Sequence, residues 1–303
     1  MTILQLKYVL AIAASSSMRE AASRLFVSQP ALSATIHELE EELGIRIFER
    51  NNKGISLTQQ GREFLVYAKQ AVSQYEIIED RYIEKDKDRK HFSVSMQHYV
   101  FAVHAFVETV REFGSDKYAY SVHETRTDEV LTNVRDLHSE IGIIAYSGST
   151  ETILKKLFRE YGLVFHPLMV RDTYAYVWED HPLADREEVS IEELKEYPCV
   201  SFDQSSDNDF YLSEEALGDR EFDKVIRSND RATSAEIMAK LQGYSIGTGI
   251  MTESVTLKDG VVTIKLKEQD PLTIGYITRK DHNMSDIGTR YIQEIEKYKE
   301  KGL

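Results

Sequence analysis

The stretch from Ser28 to Gly44 constrains this chain more than any other. Ser28 is a helix-capping residue type, Pro30 suits a first turn whose amides lack partners in any case, and Gly44 suits a left-handed stop. Between them Leu32, Ile36, Leu39 and Leu43 recur at three- and four-residue spacing, which predicts a helix to about residue 42 with one buried face. The same period puts Pro30, Ser33, Ala34 and His37 on the opposite face, flanked by Gln29 and Thr35. A helix whose free face carries short hydrogen-bonding side chains fits the major groove of B-DNA. Its capped N-terminus turns the positive end of the helix dipole toward phosphate.

The flanking residues fit the same plan. Ile3, Leu6, Val9, Leu10 and Ala13 predict a helix over 3–12. A second helix over 18–25 carries Ala21 and Ala22, small enough for close helix contact, and points Leu25 inward; Phe26 and Val27 follow as an apolar corner. Short β segments at 45–48 and 55–58 enclose Asn51, Asn52, Lys53 and Gly54, which read as a hairpin tip. Helix, corner, capped helix and hairpin make a winged helix-turn-helix. Arg50 and Lys53 on the hairpin would reach a minor groove or the backbone, and Lys7, Arg19 and Arg24 are further phosphate contacts. Taken singly, His37 is an ordinary surface histidine and Ser33 a neutral helix residue; the combination carries the assignment.

A formal net charge of −14 would oppose a polyanionic partner if it were spread evenly. Residues 1–90 hold 13 Lys/Arg and 13 Asp/Glu, whereas 91–303 hold 24 and 38, so the acid excess lies wholly outside the DNA-reading segment. Two jobs in one chain follow. From 59 to 85 Leu65, Ala68, Val72, Tyr75, Ile78 and Tyr82 alternate by three and four. This predicts a long helix, either a self-pairing seam or a helix lying on its own domain, with pairing preferred. The alternating charges of 84–90 read as an exposed linker.

Beyond residue 91 strands and helices alternate: strands at 92–96, 118–123, 141–146, 163–170, 174–178, 199–202, 225–228, 246–251, 261–266 and 272–278; helices at 100–113, 128–137, 191–197, near 209–217, and at 232–241 and 287–299. This is the rhythm of doubly wound α/β lobes. The expected domains are 1–58, a self-pairing helix and hinge at 59–90, and an α/β domain of two small lobes at 91–303.

Ala21-Ala22, Val27-Ser28-Gln29-Pro30-Ala31-Leu32-Ser33, Ile36, Leu39-Glu40, Leu43-Gly44, Phe48-Glu49-Arg50, Leu57-Thr58 and Gly61 resemble the N-terminal signature of LysR-type transcriptional regulators. The resemblance implies a winged helix-turn-helix joined by a dimerising helix to a two-lobed, periplasmic-binding-protein-like effector domain at 91–303, with lobe I at about 91–161 and 268–303 and lobe II at about 162–267. It implies homodimers or homotetramers on dyad-symmetric double-stranded DNA, with RNA polymerase as a further partner. Gln29, Pro30, Ser33 and the next residue are where the family meets DNA. That next residue is Ala34, where many members carry arginine, so a bidentate guanine contact is ruled out there and Thr35, His37 or a thymine-methyl contact takes its place.

In the family the ligand lies between the lobes. The matching loops are Gln97-His98-Tyr99, Thr125-Arg126-Thr127, Ser201-Phe202-Asp203 and Gly247-Thr248-Gly249. Tyr99 and Thr127 open helices whose free amides favour a carboxylate, Arg126 would hold an anion, and Asp203, Asp207 or Asp209 an ammonium. The plainer alternatives are a loop role for His98, strand-end and cap roles for Thr125 and Thr127, a surface pair of Arg126 with Glu124 or Asp128, and a turn at Asp207-Asn208-Asp209. Residues 93–99, 124–127 and 229–233 further resemble a Gram-positive subgroup controlling methionine and cysteine uptake or synthesis. That implies a small anionic or zwitterionic effector such as O-acetylserine or a sulfur metabolite.

Other classes fit less well. No G-x-S-x-G, H-E-x-x-H, C-x-x-C, P-loop or G-x-G-x-x-G pattern occurs, so an enzyme with a fused DNA-binding domain lacks its chemistry, and no catalytic residue, metal site or cofactor is expected. Cys199 is the one cysteine, which excludes an intramolecular disulfide. A ligand-independent DNA organiser would need no acidic α/β domain. The longest apolar run, 8–14, is too short for a bilayer and its flanks lack a signal peptide's features, so a cytoplasmic protein without membrane contact is expected.

Overall fold

A computed structural model describes residues 1–51, 54–79, 90–114, 117–204, 212–218, 220–251 and 260–300. The chain divides into two compact units, Met1–Lys87 and Asp88–Leu303.

The first unit holds α1 (Ile3–Ala13), α2 (Met18–Arg24), α3 (Gln29–Leu43), the antiparallel strands β1 (Phe48–Asn51) and β2 (Gly54–Leu57), and α4 (Gln59–Ile78). Each helix start is chemically marked: Thr2, Ser17, Ser28 and Thr58 accept hydrogen bonds from amides three residues on. Gly44 ends α3 at φ 66°. Val9, Ile12, Ala21, Ala22, Leu32, Ile36, Leu39, Ile47 and Phe48 form the core. The apolar corner differs from its reading. Val27 packs on that core, but Phe26 is 96% exposed at φ 54°, because the turn leaving α2 needs a left-handed residue there.

Helix α4 packs part of its apolar stripe within its own unit. Ala68 and Val72, assigned to a self-pairing seam, are buried in a cluster with Leu6, and Leu65 packs on the main core. This part of the helix lies against α1, whereas Ile78, from the same expected seam, is exposed. Tyr82 and the rest of the predicted helix to residue 85 fall outside the described residues.

The second unit begins with β3 (Lys90–Met96), α5 (Val100–Phe113), β4 (Tyr118–Glu124), α6 (Thr127–Arg135), β5 (Ile141–Tyr146), α7 (Glu151–Glu160) and β6 (Leu163–Arg171). It continues through β7 (Tyr174–Trp178), β8 (Glu188–Val189), α8 (Ile191–Leu194), β9 (Cys199–Phe202), β10 (Val225–Ser228), α9 (Arg231–Leu241), β11 (Tyr244–Gly247) and β12 (Val261–Leu266). It closes with β13 (Leu272–Arg279) and α10 (Asp286–Glu300). Two sheets result among the described residues: β4-β3-β5-β13-β6 and β10-β9-β11-β7-β12-β8. These are the two lobes.

The sheets correct the lobe boundary. Strand β6, placed in lobe II by the reading of 162–267, pairs antiparallel with β13 along its whole length and belongs to lobe I. The chain crosses between lobes after β6 and again after β12. The two crossings are tied together: the Thr173 amide donates to Gln269 Oε1 at 2.8 Å, and the Thr173 hydroxyl to the Asp270 carbonyl at 3.0 Å. Helix α7, which was not anticipated, buries Leu154 and Phe158. The helix expected near 209–217 is absent over 212–217, where the chain turns; 205–211 lie outside the described residues. Strand β11 stops at Gly247 rather than running to 251, since Gly249 turns left-handed at φ 68° against the Tyr174 ring.

Candidate functional site

Two places in the fold collect the chemistry singled out in the sequence. The first is α3. Its buried stripe of Leu32, Ile36 and Leu39 fixes the rotation of the helix, so Ser28, Gln29, Pro30, Ala34 and His37 are exposed and Ser33 and Thr35 half-buried. Ser28 Oγ accepts from the Ala31 amide, which aims the helix N-terminus outward. Thr35 spends its hydroxyl donor on the Ala31 carbonyl at 3.0 Å, and His37 stands 3.5 Å from Glu41. Two expected phosphate contacts are engaged elsewhere. Lys7 reaches Glu79 at 3.4 Å and Glu76 at 3.7 Å, and Arg24 bonds the Ala14 carbonyl and Glu20. Arg50 sits on β1, where only the backbone is described, and Lys53 lies outside the described residues.

The second is the cleft between the lobes of the second unit, which encloses a cavity of about 140 Å³. Four of the expected effector residues line it: His98, Tyr99, Phe202 and Thr248. The Gly247 backbone also lines it, pressed so closely on Tyr176 that a Cβ would lie 2.9 Å from the ring. Tyr99 and Thr248 reach it from opposite lobes, and Met238, Ile246 and Ile250 make its walls largely apolar.

The remaining assignments are placed away from this cavity. Gln97 is fully buried, donating to Thr127 Oγ1 at 2.6 Å and accepting from the Ala145 amide at 2.6 Å. The Thr127 amide donates across the cleft to Gln204 Oε1 at 3.1 Å. Both therefore hold the fold rather than line the cavity. Thr125 donates to Glu129, and Arg126 pairs with Glu129 at 2.5 Å and approaches Asp128 at 3.8 Å, which spends its charge on the surface of α6. Ser201 faces a neighbouring hollow within lobe II. Asp207 and Asp209 lie outside the described residues.

The residues that close the cleft include several that the sequence did not mark. His98 Nδ1 is 2.6 Å from Glu214 Oε1, and its ring stacks on Phe202 with centroids 3.6 Å apart. Arg231, opening α9, makes a two-pronged pair with Glu124 at the end of β4, at 2.6 and 2.5 Å. Both contacts join lobe I to lobe II. Burial disfavours a charge on His98, but the bond to Glu214 and its negative charge outweigh that, and the His98 pKa lies above its usual value. Burial and the charge of Glu214 push Glu215 up to about 7, although its Oε1 accepts from the Phe202 amide. Glu214 and Glu215 were hidden inside a segment read as a helix. Arg231 stood in a motif that gave no sign of its partner.

Burial pushes the Cys199 thiol up to about 12, so it remains protonated and unreactive near neutrality. Among the described residues no group of His, Cys, Asp and Glu has the makings of a metal site, and no helix is long and apolar enough to cross a membrane.

Comparison with known proteins agrees with this geometry. Residues 3–62 match the family described as bacterial regulatory helix-turn-helix protein, lysR family, and residues 117–297 match the LysR substrate binding domain. The chain is 27% identical over 205 residues to the uncharacterized HTH-type transcriptional regulator YnfL of Escherichia coli (strain K12), covering 65% of this chain and 64% of that protein. It is 29% identical over 195 residues to the HTH-type transcriptional regulator CysB of Burkholderia cenocepacia, covering 62% and 58%. Each match spans less than two thirds of the relative's length. Full-length CbnR, solved in complex with its target DNA, shares the fold with a TM-score of 0.62 at 18% identity, over 98% of this chain and 99% of that one.

Proposed function

Because this chain belongs to the LysR family of bacterial helix-turn-helix regulators, we propose that it binds double-stranded DNA through α3 and senses a small metabolite in the cleft between its lobes. The observation that carries the reading is the split character of α3. One side is buried in the core, and the other presents Gln29, Pro30, Ala34 and His37 beside a capped N-terminus. The structure of CbnR with its target DNA supports the same use of this fold. Ala34 leaves thymine-methyl contact and His37 as readers at that position.

The cleft supports ligand sensing by its construction. Lobes joined by two crossings and closed by side-chain contacts have an open and a closed arrangement, and a ligand that fits only one shifts the balance. Closure would then alter how subunits of a homodimer or homotetramer are disposed on a dyad site, and so recruitment of RNA polymerase in the cytoplasm. A sulfur amino-acid metabolite or O-acetylserine is the effector class favoured by the likeness of residues 93–99, 124–127 and 229–233 to the methionine and cysteine subgroup. The match to CysB is in keeping with it. A cavity of about 140 Å³ suits a compact molecule.

The test is in vitro selection of DNA by the full chain, followed by footprinting with O-acetylserine and sulfur amino acids. A dyad-symmetric motif whose footprint changes with one of these compounds is expected. Binding without sequence preference would remove the regulator reading, and a footprint indifferent to every compound would remove the effector class.

A further inference from the structure

The apolar walls of the cleft conceal two buried acidic side chains. Glu214 and Glu215 both line the cavity, from adjacent positions in lobe II. Glu214 is 6% exposed, places Oε1 on His98, and leaves Oε2 buried with no hydrogen-bond partner among the described residues. Such an oxygen has lost its water and gained nothing in exchange. The arginine in the cavity lining, Arg231, has both prongs of its guanidinium committed to Glu124. A ligand carboxylate would meet two acidic side chains and an arginine already neutralised, and the idle group open to it is His98 Nε2, likewise buried with no hydrogen-bond partner among the described residues. A ligand cation would meet an idle acceptor.

We propose that the cleft selects a ligand carrying a protonated primary amine on a compact, mostly apolar body, with the amine donating to Glu214 Oε2. Glu214 is the specificity-determining residue. His98 holds Glu214 in place through Oε1, and Tyr176, Met238 and Ile250 enclose the apolar part. An amino-acid derivative meets the requirement through its amino group; a simple carboxylic acid does not. This deepens the reading of the cleft as the effector site and rests on it.

A matched pair of probes tests the idea on the full chain: 3-(methylthio)propylamine, a cation, and 3-(methylthio)propionate, an anion of the same length. Titration calorimetry at pH 7.5 on the unaltered chain is expected to give the amine a Kd at least about tenfold lower. Glu214→Gln, checked for an unchanged melting profile, is expected to weaken the amine by roughly ten- to a hundredfold and to leave the carboxylate unaffected. Ala235→Trp, which fills the cavity from α9, should abolish binding of both. Equal or tighter binding of the carboxylate, blocked by Ala235→Trp, would overturn the amine requirement and leave the cleft as the ligand site. An amine preference that survives Glu214→Gln would overturn the role of Glu214 in the same way. Binding of neither probe, or binding indifferent to Ala235→Trp, would overturn both readings.

Discussion

A Cβ on Gly61 would stand 2.0 Å from the carbonyl oxygen of Ile47. Helix α4 begins so close to the connection leading from α3 into β1 that no side chain fits between them. The obstacle is backbone, and that backbone is fixed, since Glu40 Oε1 accepts from the amides of Ile47 at 2.7 Å and Phe48 at 3.0 Å. Gly61→Ala must push the helix off the DNA-reading unit. A loss of about 3 kcal/mol or more is expected in urea unfolding, with DNA affinity falling alongside. A midpoint unchanged within error would mean that α4 docks more loosely than its contacts imply.

Phe26 tests the opposite kind of residue. It occupies the left-handed position after α2 with 96% of its surface exposed, so it contributes strain and almost no packing. A left-handed L-residue costs about 1–2 kcal/mol, partly offset for glycine by greater freedom in the unfolded chain. Phe26→Gly is expected to leave stability unchanged or raise it by up to about 1 kcal/mol. Thermal unfolding measures this. A clear loss would reveal a packing role for the ring.

The two residues mark what the sequence could convey. Capping residues, the α3 stripe and the small Ala21 and Ala22 act within a few residues of themselves, and their effects were legible. Gly61 and Glu40 stood in the family signature without a visible reason, because their partners at 47 and 48 are distant in sequence. The seam on α4 was legible only in part, for a related cause. Leu65, Ala68 and Val72 have the spacing of a pairing helix, and that spacing does not say whether a second chain or α1 covers them. In the cleft, loops after strands could be located, and Asp128 as a neighbour of Arg126, but the ionic partners that join the lobes could not. Nothing local distinguishes Arg126, neutralised by Glu129, from Arg231, which joins the lobes through Glu124.

That interlobe pair makes a prediction of its own. Arg231→Met leaves Glu124 beside an apolar side chain, and the partly buried carboxylate then favours separation of the lobes toward water. Small-angle scattering is expected to report a larger second unit, and hydrogen exchange faster amide turnover in β4 and α9. The double variant with Glu124→Gln should recover part of the lost stability, since no charge is stranded. A single variant as compact as the parent would assign closure to His98 and Glu214 instead.

Protonation should act on the same cleft. Glu215 rises from 4.5 to about 7 in the folded chain, so the folded state holds a proton there that the unfolded state releases. Stability contributed at this site is therefore present below pH 4.5 and lost as pH rises through about 7. The raised His98 pKa works in the same direction from its ordinary value of 6.5 upward. Glu215→Gln should keep the bond from the Phe202 amide, and the Ser213 hydroxyl can reverse to accept. Little effect is expected at pH 5 and a gain at pH 8, read from melting curves across that range. An equal effect at both would place the pKa of Glu215 near that of a free carboxylate.

Operator choice offers the most direct test of how α3 is used. Ala34 and Thr35 are neighbours on the helix with different freedom. Ala34 is exposed with no polar group, and Thr35 is half-buried with its donor spent on the Ala31 carbonyl. Ala34→Arg adds a guanidinium able to grip O6 and N7 of guanine, a pairing that discriminates by about 1–3 kcal/mol per base pair. Selection of DNA with this variant should therefore enrich guanine at one position in each half-site, leaving the half-site spacing unchanged. Thr35→Ala removes a hydroxyl already occupied within the helix and should leave the selected motif nearly as it was. If Thr35→Ala rewrites the motif while Ala34→Arg does not, α3 meets DNA through a face rotated from the one its exposure defines.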